Sequence, residues 1–217
     1  MKAIGIFAVK LAGLAVVYVI FVATADHAFS LPAAMAVMWG AVAAVPVVAA
    51  GGRWMLDRRP EPRRAEMLTI PVHYLEGLLL GCALIVAFPV VQAHPWSRVW
   101  FPQRISQVLM ELFGVMAALA VLNLSVRGLG LPFAAVLSRR LATGWLYARC
   151  RNPMGLMLLL FFLASALWLR SLDAIVWVAG WLAPAWVLFV KRFEERELEI
   201  RFGAPYREYK AKTPFLL

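Results

Sequence analysis

The sequence predicts an all-α fold: a polytopic transmembrane helical bundle of about six spans, closed by a helical hairpin and a cytoplasmic tail. Three observations predict it. Hydrophobic residues make up 63% of the chain and charged residues 16%, and the mean hydropathy of +0.77 lies outside the range of an ordinary soluble domain. The charges are gathered into a few blocks, which leave long uncharged runs between them. About 20 largely apolar residues cross a hydrocarbon core. Such runs have to be helical, because lipid offers no partner to an exposed backbone amide or carbonyl.

The spans fall at 4–25, 31–50, 70–92, 105–126, 153–170 and 174–190. Lys2, an apolar stretch and Ala23-Thr24-Ala25 before Asp26 resemble a cleavable signal peptide, but Lys10 interrupts that stretch and a retained helix is expected. Cleavage would leave five spans and the same tail. Ala, Val and small residues dominate the first 140 positions, which suits helix packing in lipid and marks 1–140 as scaffold. Segment 52–66, with Pro60 and Pro62 among its charges, reads as a solvated loop. Leu131-Pro132-Phe133 begins a short interfacial helix running through Val136 and Leu137, with Arg139 and Arg140 at the headgroups. Thr143-Gly144 then breaks the chain, and Trp145 and Tyr147 suit the aromatic belt.

The last two spans are separated by 171–173 alone, so they form a tight hairpin, and Pro184 kinks the sixth. Its helix continues through Glu194 to Phe202, where Gly203 is placed as a stop. Tyr206 and Tyr209 are three apart and share a face of one further turn, which ends before Pro214. The whole of 1–217 reads as one membrane domain, with 141–217 as its chemical part.

Lys and Arg set the orientation. Arg53, Arg58, Arg59, Arg63 and Arg64 fall in one loop, Arg127, Arg139, Arg140, Arg149 and Arg151 in another, and seven basic residues in the tail. The opposite connections hold Arg98, Arg104 and Arg170. Positive charge stays inside, so both termini and both long loops are cytoplasmic, in what composition suggests is a bacterial cytoplasmic membrane. The net charge of +10 follows from topology and attraction to anionic headgroups. No basic domain with interleaved aromatics is present, so a nucleic-acid partner is not expected.

Two clusters flank the hairpin on its cytoplasmic side. Glu194 and Glu195 sit where the last span emerges, beside Lys191 and Arg192. The simplest account is a solvated helix face, since Arg196, Glu197, Glu199 and Arg201 surround them. Their position favours chemistry, because carboxylates suit ribose hydroxyls or a cationic sulfonium and an arginine suits a carboxylate or phosphate. Arg149, Arg151, Asn152 and Pro153 form the second cluster. A topological anchor followed by a proline in a first helical turn accounts for them singly. It does not account for their facing the Glu pair across a two-helix hairpin.

Among ionisable groups near or inside the bilayer, Glu76 lies on the same side as these clusters and is a functional candidate by default. His73 is one turn from it, but two ligands without a third are a weak zinc signal, so a local hydrogen-bonded pair is expected and no metal. Glu111 lies toward the other face and is expected to pair with Arg104 or a neighbouring helix. Cys82 and Cys150 form no disulfide framework. Cys82 reads as a buried small hydrophobe. Cys150, between Arg149 and Arg151, is a candidate for a lowered pKa, though a bystander thiol is the simpler account. Phosphate loops, a dinucleotide glycine pattern, a zinc-protease helix and a nucleophile elbow are all missing from the sequence.

Residues 144–215, about a third of the chain, resemble the C-terminal half of the isoprenylcysteine carboxyl methyltransferase family and its relatives, the phospholipid N-methyltransferases. The resemblance rests on Arg151-Asn152-Pro153-Met154 before the hairpin. After it come Glu194-Glu195-Arg196-Glu197-Leu198-Glu199-Ile200-Arg201-Phe202-Gly203, with Tyr206, Tyr209 and Pro214 in register. It implies S-adenosylmethionine bound at the cytoplasmic end of the hairpin and a small lipophilic or lipid acceptor entering from the bilayer. Carried over, Tyr147, Arg151, Asn152, Pro153, Glu194 and Glu195 would surround the cofactor. Arg192 and Glu195 would serve the methyl-transfer centre, and Glu76, Tyr206 and Tyr209 the acceptor. Two positions depart from the pattern: the tyrosine after Pro-x is Gly155, and the upstream turn, Gly144-Trp145-Leu146-Tyr147, is offset by one residue. The acceptor atom (O, S or N) stays open. Two alternatives also stand: an NADPH-dependent membrane double-bond reductase, which carries a similar arginine-proline and tail pattern, and a transporter or assembly factor whose charged ends only set topology.

Overall fold

The computed structural model describes residues 2–93, 98–130 and 137–217, with side chains from Lys10 to Val91 and from Arg98 onward outside the gap at 131–136. The described residues are helical, with no strand among them. We label α1 (Lys2–Asp26), α2 (Leu31–Arg58), α3 (Pro62–Ala93), α4 (Gln103–Gly128), α5 (Pro153–Trp168), α6 (Leu172–Phe202) and α7 (Ala204–Lys212). Leu31–Arg58, Pro62–Val91, Gln103–Gly128 and Leu172–Phe202 are each long and apolar enough to cross a membrane, and α5 is a shorter apolar helix. The expected polytopic helical architecture is present.

Several helices outrun their expected spans. α2 reaches Arg58 and α3 already starts at Pro62, which shortens the expected 52–66 loop to a turn around Arg59, Pro60 and Glu61. The physical reason is simple: a run of charges ends the membrane, not the helix. Past the headgroups the backbone keeps its internal hydrogen bonds, and Arg53 supports its own helix by an i,i+4 bond of 2.7 Å to Asp57. Pro62 is tolerated because a first-turn amide has no helical partner to lose. The interfacial helix expected from Leu131 falls largely outside the described residues, and Leu137 through Arg140 are not helical.

Three stretches widen from α to π geometry: Leu124–Gly128, Val178–Leu182 and Val190–Glu194. The second takes up Pro184, which has no amide to donate. The Ala183 amide reaches back to the Val178 carbonyl, one residue further than an α-turn. Between α5 and α6, Arg170 adopts φ 54° and the Ser171 side chain caps α6 by accepting from the Ala174 amide at 3.2 Å. The tight hairpin is thus made by a left-handed residue and a serine cap. Gly203 ends α6 as expected, with φ 61° and ψ −130°.

The described residues fall into two compact units. The first holds α1, α2, α3 and the Ala185–Glu197 portion of α6. Here small residues bring helices close: a Cβ on Gly13 would lie 2.6 Å from the Tyr74 ring, and one on Gly81 would collide with Phe21. Thr24 Oγ1 lies 3.5 Å from Cys82 Sγ, so this thiol is half-buried and polar-contacted rather than a plain buried hydrophobe. The second unit holds α4, α5, the first part of α6 through Pro184, and the tail from Leu198. α4 packs along α5, with Gln103 donating to the Trp168 carbonyl at 3.3 Å and Gly114 lying against Phe161.

Candidate functional site

In the first unit the site residues converge on the wide turn Val190–Glu194. Phe189 and Phe193 are buried there, and the His73 ring meets both edge-on, at centroid distances of 5.3 and 5.7 Å. Gly52 lets α2 approach: a Cβ at that position would lie 2.6 Å from the Phe193 ring. His73 Nδ1 lies 3.0 Å from the Thr69 carbonyl. Glu76, one turn on, is 4% exposed and lies within electrostatic reach of Glu194. A buried carboxyl set against a half-buried one is costly, and such a group is a functional candidate by default.

The neighbouring carboxylates are also buried, Glu195 at 5% and Glu197 at 2% exposure. The solvated-face account therefore fails on burial for Glu195, while Glu194 is half-buried. Arg192 is exposed, and its carbonyl accepts from Arg53 Nη1 at 3.3 Å. Asp57 joins α2 to α6, accepting from Arg53 Nε and Arg196 Nε, each at 2.7 Å.

The second unit gathers the other expected residues. Asn152 and Pro153 open α5, the proline in its first turn. Arg151 fastens the tail: its guanidinium donates to the Lys210 carbonyl at 3.1 Å and to the Thr213 carbonyl, and its amide donates to the Pro214 carbonyl at 2.9 Å. Asn152 Nδ2 donates to the Phe215 carbonyl at 3.3 Å. Tyr206 and Tyr209 do share a face of α7, with ring centroids 6.3 Å apart. Tyr206 is buried, and the Tyr209 hydroxyl donates to the Tyr147 carbonyl at 2.6 Å. Burial, reinforced by Cys150, pushes the Tyr209 phenol above its ordinary range, so it remains a donor. Tyr147 belongs to a short 3-10 turn, Trp145–Ala148, that Trp145 opens at φ 57°, a strained conformation for a bulky residue. The tail is closed from its other side by Lys210 to Glu199 at 2.8 Å and Arg201 to the Ser138 carbonyl.

Cys150 is buried, and burial raises its thiol instead of lowering it; the flanking arginines do not win against desolvation. Glu111 accepts from Gln107 on its own helix at 3.1 Å and not from Arg104, because a side chain one turn away is nearer than one two turns back. No group of three or more potential metal ligands occurs among the described residues. One residue escaped sequence reasoning. Asn123 is fully buried, and both its Oδ1 and its Nδ2 are without a partner. Its signal in the sequence is a carboxamide, polar but not ionisable, inside the apolar run 117–126.

Comparison with known proteins adds one finding. No curated protein and no solved structure matches the chain. A family model described as phospholipid methyltransferase does match, over residues 105–204. That stretch contains all but the first two residues of α4, the Arg151-Asn152-Pro153 turn, the hairpin and the Glu194-Glu195 pair. The resemblance read from the sequence motifs is therefore found again over 105–204, and at the level of the family it supports a membrane methyltransferase.

Proposed function

We propose that this protein is an integral-membrane, S-adenosylmethionine-dependent methyltransferase that methylates a small lipophilic or lipid acceptor entering from the bilayer. The observation that carries the reading is the family match over 105–204, which spans both motif clusters. Burial supports it: Glu76 and Glu195 are buried and Glu194 is half-buried, a group of carboxyls suited to ribose hydroxyls and a sulfonium. When bound, S-adenosylmethionine supplies a methyl group already activated for transfer. The chain's tasks are then binding, orientation and exclusion of water. Glu194 and Glu195 hold the donor, and Arg192 and Glu195 serve the transfer centre. Glu76 faces the acceptor, with Tyr206 and Tyr209 supporting it. Arg151, Asn152 and Tyr147 help to enclose the cofactor by fixing the tail across the start of α5, with Pro153 setting the helix's first turn. Both termini lie on the cytoplasmic side.

Calorimetry on the purified chain with S-adenosylmethionine, S-adenosylhomocysteine and NADPH tests this reading. We expect both adenosyl ligands to bind and Glu195→Gln to weaken them roughly tenfold, as for loss of a charged hydrogen-bond acceptor. Binding of NADPH without either adenosyl ligand would overturn the proposal in favour of a reductase. Unchanged affinity in a folded Glu195→Gln chain would remove the role given to the carboxylates.

A further inference from the structure

We infer that α4 is the contact surface of a homodimer, in which Gln107 and Glu111 meet the same pair of a second copy. α4 has two faces of different character. On one, Ser106, Ala117 and Ala120 are buried, and Gly114 lies against Phe161 of α5. On the other, Val108, Val115 and Leu122 recur every seven residues, and all three are exposed. That period is the seam of two helices wound gently about each other. Beside the seam lie Gln107 and Glu111, both exposed, with Gln107 Nε2 donating to Glu111 Oε1 at 3.1 Å. Their depth is what makes them informative. α4 has 26 residues, so it is about 39 Å long, and ~30 Å of hydrocarbon centred on it begins ~4.5 Å inside each end. Glu111 stands ~12 Å along the helix from Gln103, and so ~7 Å inside the hydrocarbon. A carboxyl at that depth belongs against protein and not against lipid tails.

Complementarity selects a second copy as the occupant. The bond within the helix uses one of the two Gln107 amide hydrogens and one of the two Glu111 oxygens. Each pair therefore retains a donor and an acceptor, four residues apart on one helix. A two-fold axis along the membrane normal sets two such helices side by side at the same height. Each Gln107 then donates to the Glu111 of the other copy, and both needs are met by one symmetric contact. The aliphatic seam is likewise complementary to itself, since Val108, Val115 and Leu122 meet their own counterparts. Polar pairing of this kind holds helices together where lipid supplies no hydrophobic drive. A lipid tail would leave the pair unmet. Glu111 thus finds the neighbouring helix expected for it, and that helix is another α4. This interface is independent of the donor-binding function proposed above.

The test places the full chain in phosphatidylcholine vesicles, labelled through Lys212→Cys in a chain without Cys82 and Cys150, and reads energy transfer between copies as lipid is added. We expect transfer that fades reversibly on dilution, as for a dimer in equilibrium with its monomer. Gln107→Leu with Glu111→Leu should weaken the dimer roughly tenfold, as for two interhelical polar contacts. Glu111→Gln should associate nearly as the native chain does, because a carboxamide still donates and accepts. In the same background Val115→Cys should cross-link two copies on oxidation, while Val176→Cys, exposed on α6, should not. This second readout stands even if the double variant does not fold. A chain that is monomeric at every dilution, or one that cross-links at Val176 as readily as at Val115, overturns the dimer. A folded double variant that associates as tightly as the native chain overturns the role of the polar pair and leaves Glu111 reaching for the headgroups.

Discussion

At the scale of single residues, the expected site separates into groups that hold structure and groups that stand uncompensated. Arg151, Asn152 and Tyr209 hold the tail through backbone carbonyls. Glu76 is buried and set against Glu194, and the Asn123 carboxamide has no partner. Tyr209→Phe tests the first group. Losing the 2.6 Å bond to the Tyr147 carbonyl should lower stability by about 1 kcal/mol, read from thermal unfolding. The same variant has a pH signature. Burial raises the Tyr209 phenol in the folded chain, so its contribution is complete at neutral pH. That contribution is lost progressively as pH rises above about 10, where the unfolded phenol ionises. Tyr209→Phe should flatten the alkaline fall in stability; an unchanged profile would show that the hydroxyl is not held as described. These roles were only partly legible in the sequence. Arg151 and Tyr209 were visible as motif members, but a motif does not say whether a donor faces a ligand or a carbonyl.

At the scale of elements, helix ends decide more than helix centres. Apolar runs located the four helices long enough to cross a membrane, yet α2, α3 and α6 extend beyond them, because hydropathy reports where lipid stops and hydrogen bonding reports where the helix stops. Gly203 was legible as a stop, and the structure supplies the reason: φ 61° with ψ −130° suits glycine alone. Nothing lies within 4 Å of a Cβ built there, so Gly203→Ala isolates backbone strain from crowding. We expect it to destabilise the α6–α7 corner by about 1–3 kcal/mol, seen as earlier hydrogen exchange in Ala204–Lys212 than in α5. Equal exchange rates would mean the corner relaxes without strain. The wide turns were not legible. Pro184 announced a disturbance in α6, but nothing local in the sequence distinguishes a kink from a π-turn, which depends on what packs beside it.

At the scale of the whole molecule, charge placement carries the topology. Two single-cysteine variants, Lys212→Cys and Trp100→Cys, made without Cys82 and Cys150, should be labelled by an impermeant maleimide from opposite faces of the membrane. Lys212→Cys reacts from the cytoplasmic side and Trp100→Cys from the other, under the positive-inside rule. The reverse pattern would invert the protein and move every candidate residue to the wrong compartment for a cytoplasmic cofactor.

By itself the sequence determined the helical membrane architecture, because backbone satisfaction in lipid leaves few choices for long apolar runs. It also determined the two motif clusters that the family match over 105–204 contains. Only the tertiary structure decided which charges are compensated. It buried Glu195 and Glu197 where a solvated face was the simplest account, raised the Cys150 thiol that its neighbours suggested was lowered, and left Asn123 unpaired. Desolvation and hydrogen-bond pairing depend on what arrives from distant parts of the chain. Residue identity and spacing carry no record of that arrival.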